Sequence, residues 1–498
     1  MDRDCERDRL RSCGLAPPLG GAFAQCRATV SSCVLRNAIL SKRATSNPMS
    51  TTTDIDKTSN STFQGLHRSA ELFGRGQRVI TGGNARLSLF QRPHPVYFAE
   101  GTGVHLLDVN GNTYLDFMNN FTALIHGHGF RPVLDRLHHQ LELGVSFSGP
   151  TELEVELAEL LCGRVPYFDQ VRFVNSGTEA VMYTIKAARA LTGRVKIAKL
   201  EGAFHGSYDP VEVSLDSAPA NWGSRSAPNA IPYSAGNSQA VADDTVVLPF
   251  NDVEATREIL ERNRDKLAAV LIDVLPQRAG LVPISLSYLA FLREITARYG
   301  IVLISDEVMS FRLSFRGGIT RFGFEADLCA FAKIIGGGLP IGAVGGPARY
   351  MLPFDSTNGK PLVPQAGTFS ANPMSMAAGI ATMQSLSEQS FQLFDDLGEY
   401  ARSSLIEMFH RERLPYSVTG MGSMFRIHLR AEAPEGYREA YAAAEQQRKM
   451  EILIRALQDR NVIVSPTCQL CLSTPMSKDH IDEMVTSVRE ATKMVEAL

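Results

Sequence analysis

The stretch LCAFAKIIGGGLPIGAVGG, residues 328–346, says most about the fold of this chain. Its first five residues form a continuous apolar run, typical of a parallel strand covered by helices on both faces. Lys333 follows that run directly and precedes three glycines. Partial removal from water favours the neutral form of such a lysine, which can then form a Schiff base and move protons. The glycines would let backbone approach a planar ligand, although a lysine beside glycines is also common in solvated loops.

Apolar runs of strand length alternate with amphipathic patterns on both sides of this stretch. VRFV (171–174), AAVLIDVL (268–275) and IVLIS (301–305) are predicted strands. Apolar residues at helical spacing predict a helix over Glu179–Leu191. The alternation indicates an α/β protein with a mostly parallel sheet flanked by helices. Such a sheet places its chemistry at the carboxyl ends of its strands.

A second motif, LISDEVMSFR, places Asp306 and Glu307 directly after a predicted buried strand. An acid in this position is costly unless a positive group meets it. A protonated pyridine nitrogen would be such a group, because a ring that withdraws electrons from a substrate needs that nitrogen protonated. The alternative is an acid that simply caps the next turn.

A third motif, VRFVNSGTEA, places Asn175, Ser176, Gly177 and Thr178 between a strand and a helix. Small residues there leave backbone N–H groups free at the positive end of the helix dipole, as phosphate binding requires. An ordinary N-cap with a turn glycine would have the same sequence. Together the three motifs predict a phosphate cradle, a buried acid and a lysine at three strand ends.

Composition indicates an ordinary globular enzyme that acts on small molecules. The 498 residues are 44% hydrophobic, enough for a large core and two or three domains. A net charge of −3 gives no preference for nucleic acid or anionic membrane, and no apolar run reaches the roughly 18 residues of a membrane span. Cys468 and Cys471 lack a second Cys or His pair at ligand spacing, so we expect buried thiols and no metal site.

The chain is expected to divide into four segments. These are a flexible extension at 1–60, an N-terminal arm with part of a small domain at 61–130, a large cofactor domain at 131–375 and a smaller α+β domain at 376–498. Leu10 to Thr53 contains no acid, as in a mitochondrial transit segment, but four acids among the first ten residues argue against one. We therefore expect a cytoplasmic protein, with a mitochondrial one as the alternative. Translation could also begin at Met49.

Several motifs in fixed order carry a family resemblance. NSGTEA, LEGAFHG, DEVMSFR, AKIIGGGLPIGAVGG and QAGTFSANPMSMAAG, with GGNARLSLF, GVHLLDVNGNTYLDF and HGHGF, resemble the class III aminotransferases, a branch of the fold type I pyridoxal-phosphate enzymes. The similarity runs from about Gly74 to the C-terminus and is strongest to glutamate-1-semialdehyde 2,1-aminomutase and the β-amino-acid aminotransferases. It implies a seven-stranded type of cofactor domain, pyridoxal 5′-phosphate as cofactor, and a homodimer with shared active sites.

The resemblance also implies roles for individual residues. Lys333 would be the Schiff-base lysine and Asp306 the partner of the pyridine nitrogen, as residue chemistry also suggests. Ser176–Thr178 would bind the phosphate, and Thr368 would complete that site from the other subunit.

Three residues affect what the walls of the expected pocket can bind. Phe204 stands where the family usually has a tyrosine that stacks on the cofactor, so stacking is kept and the phenol hydrogen bond is lost. Leu275 stands where relatives usually carry a glutamate, which makes the substrate side uncertain. Arg86 aligns with an arginine that binds the substrate carboxylate, although a surface arginine is the alternative.

The predicted activity is transfer of an amino group from a small-molecule donor to a carbonyl acceptor, with Lys333 as general base. The alternative is an intramolecular aminomutase, in which one molecule donates and recovers the amine. A racemase or decarboxylase would use the same fold. A non-catalytic binding protein is a further alternative, but it would not explain why Lys333, Asp306 and the phosphate motif are all present.

Overall fold

The computed structural model describes residues 66–497. The predicted extension at 1–60 and the alternative start at Met49 lie outside the described residues. The described part of the chain belongs to one compact unit, so the boundaries at 131 and 375 stay predictions. In that part, no helix combines the length and the apolar character needed to cross a membrane.

The strands of the described residues form four sheets. Their bounds are β1 Phe98–Thr102, β2 His105–Asp108, β3 Thr113–Asp116, β4 Gln170–Val174, β5 Lys196–Leu200, β6 Gly223–Ser224, β7 Ala227–Pro228, β8 Thr245–Leu248, β9 Leu267–Ile272, β10 Val302–Asp306, β11 Leu328–Ala332, β12 Gly342–Gly346, β13 Ser417–Met421, β14 Met424–His428, β15 Val462–Ile463 and β16 Gln469–Cys471.

The largest sheet has seven strands in the order β4-β12-β11-β10-β9-β5-β8. Strand β12 runs antiparallel to both β11 and β4, and the other neighbours are parallel. Every residue of β9, β10 and β11 is buried, as their continuous apolar sequences require. Asp306, at the end of β10, pairs with Ala330 of the neighbouring strand β11. Lys333 directly follows β11, so the acid and the lysine lie at the ends of adjacent strands.

Helices cover this sheet and build the rest of the molecule. Right-handed α-helices span His67–Gly76, Arg131–Leu143, Glu152–Arg164, Gly177–Thr192, Asp209–Glu212, Gln239–Asp243, Val253–Asn263, Leu286–Tyr299, Glu307–Ser310, Ala348–Met351, Pro373–Gln384, Glu388–Arg411, Tyr437–Ala440, Ala444–Gln458 and Lys478–Glu496. Short 3₁₀ turns lie at Leu87–Leu89, Phe311–Leu313, Ile319–Phe322, Lys333–Gly336 and Leu352–Phe354.

Two smaller sheets contain the strands that precede β4 and follow β12 in the sequence. One has the order β1-β2-β3-β15, so a strand near the C-terminal end pairs in parallel with strands from the N-terminal part. The other, β13-β14-β16, contains Cys471, and both Cys468 and Cys471 are buried free thiols, as predicted. The mostly parallel seven-stranded sheet with helices and smaller sheets confirms the predicted α/β class.

Candidate active site

A cavity of about 620 Å³ opens at the carboxyl ends of β4, β9, β10 and β11. Almost all of the residues singled out from the sequence meet on its wall. They are Arg86, Ser176, Gly177, Thr178, Phe204, Asp306 and Lys333. Thr368 does not line this cavity.

Lys333 follows the last residue of β11 and adopts a φ of 53°, an unusual value for a residue with a side chain. None of the hydrogen bonds between described residues uses its ammonium nitrogen. Burial lowers the pKa of Lys333, while the nearby charges of Asp306 and Asp273 oppose that shift. The neutral amine, which acts as nucleophile and proton carrier, is therefore more accessible here than for a lysine in water.

Asp306 uses both of its carboxylate oxygens. Oδ1 accepts a hydrogen bond from the backbone N–H of Val308 at 2.9 Å, so the acid does cap the next turn. Oδ2 lies 2.7 Å from Nδ1 of His205, a buried side chain that the sequence analysis did not identify. Burial lowers the pKa of His205, so the ring is neutral and Nδ1–H donates to the carboxylate.

Glu307, the second acid of the pair, does not line the cavity. Its carboxylate accepts the backbone N–H groups of Gly318 and Ile319 at 2.6 and 2.8 Å, and the hydroxyls of Ser305 and Ser310. Burial raises its pKa against the lowering effect of these bonds. Glu307 holds the loop at 317–319, so of this pair of acids only Asp306 lines the cavity.

The predicted phosphate turn combines a helix cap with unused donors. Ser176 caps the helix Gly177–Thr192, since its Oγ accepts the N–H of Glu179 at 3.2 Å. Within the described chain, no acceptor is found for the backbone N–H groups of Gly177 and Thr178. Thr178 Oγ1 accepts from the N–H of Ser207 at 3.2 Å, which links the turn to the loop after β5.

The end of β9 carries an acid that the sequence analysis missed. Leu275, which stands where relatives usually carry a glutamate, is fully buried and does not line the cavity. Asp273 lies there instead, directly after β9, and accepts the N–H of Leu275 at 2.9 Å. Burial, with the charge of Asp306 as a smaller cause, raises the pKa of Asp273 to about 8. The sequence signal that could have identified Asp273 is its position as a polar residue within the predicted apolar strand 268–275.

Phe204 and Arg86 also line the cavity. The ring of Phe204 is 49% exposed and lines the cavity, where it is free to stack on a flat ligand. The guanidinium of Arg86 donates to Oδ1 of Asn120 at 2.9 Å and lies 5.2 Å from the centre of the Phe121 ring. The structure thus places the exposed Arg86 at the cavity mouth and not on a remote surface.

The remaining predicted features lie further out. Thr368 is exposed and lines a separate cavity of about 230 Å³ together with Phe147 and Pro150. Of the glycine run, Gly338 lines the main cavity. Gly337 packs against the helix Pro373–Gln384, where an added Cβ would lie 2.5 Å from the carbonyl oxygen of Ala378. The glycines therefore serve packing as well as the cavity.

Comparison with known proteins identifies relatives along most of the chain. The family model for class III aminotransferases matches residues 90–492. A glutamate-1-semialdehyde 2,1-aminomutase from Methanosphaera stadtmanae is 34% identical over 429 residues, covering 86% of this chain and 98% of that protein.

Two solved structures, both of enzymes that transfer amino groups, also resemble this chain over most of its length. The ω-transaminase from Sphaerobacter thermophilus is 45% identical with a TM-score of 0.85, over 88% of this chain and all of that chain. The β-phenylalanine aminotransferase from Variovorax paradoxus is 30% identical with a TM-score of 0.78, over 88% of this chain and 96% of that one. These matches confirm the predicted fold type I architecture and pyridoxal phosphate as the cofactor. With the family model spanning residues 90–492, the chain belongs to the class III aminotransferase family.

Proposed function

We propose that the chain moves amino groups on pyridoxal phosphate, with Lys333 as the lysine that bonds to the cofactor. The observation that carries this proposal is the convergence of Lys333, Asp306 and the unused N–H groups of Gly177 and Thr178 on one cavity. A binding protein without catalysis would not need a lysine in the cavity whose pKa is lowered by burial.

The residues present fit the cofactor. The free N–H groups at the start of the helix Gly177–Thr192 suit a phosphate. The carboxylate of Asp306 suits a protonated pyridine nitrogen, and His205 holds that carboxylate in place. Phe204 offers a ring face for stacking.

Residues of the chain have separate roles in the proposed reaction. When bound, the cofactor supplies an electron sink for negative charge that develops at the substrate carbon. Lys333 accepts a proton from that carbon and returns one to a neighbouring atom, which its lowered pKa favours. Asp306 keeps a negative charge beside the ring nitrogen, and Arg86 binds the carboxylate of the substrate.

Two modes of transfer remain, and each has support. The curated aminomutases, 34% identical in the case of Methanosphaera stadtmanae, favour the intramolecular mode, our second candidate. The Sphaerobacter thermophilus ω-transaminase, at 45% identity, favours transfer between two molecules. We prefer transfer between two molecules because that identity is the higher of the two over an equally long match.

An absorbance experiment separates the modes. Purified enzyme loaded with pyridoxal phosphate is mixed with a panel of amino donors, and the cofactor absorbance is followed. Transfer between molecules predicts that some donors bleach the absorbance and that a keto acid restores it. A mutase predicts that glutamate-1-semialdehyde alone is isomerised without an acceptor. A Lys333→Ala enzyme serves as the control, and a wild-type enzyme that responds to no substrate would contradict the proposal.

We also propose a homodimer in which Thr368 of one subunit completes the phosphate site of the other. Within one chain, Thr368 lies outside the cavity of Lys333 and is exposed. Its neighbour Phe369 is 62% exposed, an arrangement that suits coverage by a second subunit. A closed twofold dimer would contain two such sites.

A further inference from the structure

We infer that Asn120 is a second binding residue for the substrate carboxylate, alongside Arg86. The inference rests on the proposed function, because it assumes that the cavity accepts a substrate whose amine is processed at Lys333. It narrows the substrate class to amino acids and oxo acids, as opposed to simple amines.

Asn120 lies in a turn of unusual backbone geometry. Four consecutive residues other than glycine have positive φ angles, namely Asn119 (46°), Asn120 (48°), Phe121 (54°) and Thr122 (73°). Side chains disfavour this left-handed region, and a β-branched threonine does so most strongly. Such conformations persist only where the surroundings enforce them, and they cluster at ligand-binding sites.

Buried contacts enforce this turn at both ends. The carboxylate of Asp116 accepts the backbone N–H groups of Met118 and Asn119 at 2.8 and 3.0 Å. The guanidinium of the buried Arg312 donates to the carbonyl oxygen of Thr122 at 2.8 Å. The turn is therefore held by two buried charged groups that do not themselves line the cavity.

The strained turn brings Asn120 and Phe121 to the cavity wall. Oδ1 of Asn120 accepts from Nη1 of Arg86 at 2.9 Å, and the guanidinium lies over the Phe121 ring. No carboxylate of the described residues lies within salt-bridge distance of Arg86. The turn thus fixes the position of a cation without neutralising it.

Asn120 can do more than orient Arg86. Because Oδ1 accepts from Arg86, the amide Nδ2 is left as a donor, and no hydrogen bond among the described residues uses it. Arg86 and Asn120 therefore present N–H donors from two side chains on one wall. Two donor groups side by side match the two oxygens of a carboxylate, and an amine without one would leave both unpaired.

The test measures binding of an unreactive carboxylate to the cofactor-loaded enzyme by calorimetry. Butyrate is the probe, and its uncharged analogue butyramide is the comparison. Asn120→Asp would pair its own carboxylate with Arg86 and repel the probe, so we expect butyrate affinity to fall at least tenfold, to about the affinity for butyramide.

Asn120→Gly separates binding from folding. Glycine tolerates a φ of 48°, so the melting temperature should stay equal or rise. Butyrate affinity should still fall about tenfold, because the amide donor is gone. The KM for a carboxylate-bearing donor should rise likewise, by about tenfold.

Thr122→Gly is the matched control, since it relieves strain in the same turn and keeps Asn120. Butyrate affinity should stay within about twofold of wild type. Wild-type butyrate affinity in both Asn120 variants, or no preference of the wild type for butyrate over butyramide, would overturn the inference. The proposed function is judged separately, since a failure of Lys333 to bond to the cofactor would leave these binding results intact.

Discussion

Three side chains at the strand ends determine the charge inside the cavity. Burial lowers the pKa of Lys333, and it raises the pKa of Asp273 to about 8, so the carboxyl group of Asp273 is largely neutral near pH 7. Asp306 accepts hydrogen bonds from His205 and from the backbone N–H of Val308, which hold its carboxylate in place at the cavity wall. Asp306 is thus positioned where we propose that the pyridine nitrogen binds.

Replacing Asp306 should impair catalysis far more than cofactor binding. Asp306→Ala and the isosteric Asp306→Asn should both lower kcat at least about a hundredfold, since losing a buried charge partner costs on the order of 3 kcal/mol. Cofactor content, measured by absorbance after gel filtration, should stay high because the turn at 176–178 supplies separate contacts. Near-normal turnover in either variant would show that the pairing is wrong.

Asp273 should make the cofactor-free protein sensitive to pH. Its folded pKa of about 8 lies above the ordinary aspartate value of 3.8, so its contribution to stability is present below pH 4 and lost as the pH rises through 8. Asp273→Asn keeps the shape and an acceptor for the Leu275 N–H but cannot ionise. Urea unfolding should show that the free energy of unfolding of the variant, relative to that of wild type, rises by on the order of a few kcal/mol between pH 4.5 and 8. A constant difference across this range would contradict the assignment.

At the scale of elements, the turn after β11 depends on close backbone packing. Gly337 has a φ of 58°, and a Cβ there would lie 2.5 Å from the carbonyl oxygen of Ala378. Gly300, at the end of the helix Leu286–Tyr299, has nearly the same φ of 59° with no atom within 4 Å of that position. The two glycines differ only in the space around them.

This pair allows backbone strain to be separated from steric overlap. Gly300→Ala should cost about 1 kcal/mol of unfolding free energy, from the left-handed backbone alone. Gly337→Ala should cost roughly 1–3 kcal/mol more, because the added methyl displaces the helix Pro373–Gln384. Chemical denaturation of both variants measures the difference. Equal losses would mean that the turn and the helix adjust freely.

Sequence patterns predicted these elements well where burial is complete. The strands expected at 301–305 and 328–332 agree with β10 and β11 to within one residue, because strands covered on both faces must be apolar throughout. The strand expected at 171–174 agrees equally well with β4, although β4 is an edge strand whose first three residues are not buried. The run at 268–275 was predicted too long, since the strand ends at Ile272 and the polar Asp273 faces the cavity.

The supporting residues of the site were harder to predict. His205 lies 101 positions from Asp306 in the sequence, and only the folded sheet brings them together. Asn120 depends on a left-handed turn that continues through Phe121 and Thr122, whose side chains disfavour this conformation. Distant groups such as Arg312 hold the turn in place. Local patterns identify the strand-end residues, whereas contacts between distant segments need the structure.

At the scale of the whole molecule, the position of Thr368 predicts complementation between subunits. Lys333→Ala and Thr368→Glu should each be inactive, since the first removes the amine and the second repels the phosphate. Dissociated, mixed and reassociated, half of the dimers would be heterodimers with one intact site of two. About a quarter of wild-type activity should therefore return. If Thr368 serves the cavity of its own chain, every site keeps a lesion and the mixture stays inactive.

The assignment of Lys333 can be tested without turnover. Lys199 is the most informative rival, since burial lowers its pKa to about 7, yet its amine donates to the carbonyl oxygens of Leu200 and Val213 and does not line the cavity. The enzyme loaded with pyridoxal phosphate is reduced with borohydride, digested and mapped by mass spectrometry. We predict the pyridoxyl group on Lys333; finding it on Lys199 or Lys360 would contradict the proposed active site.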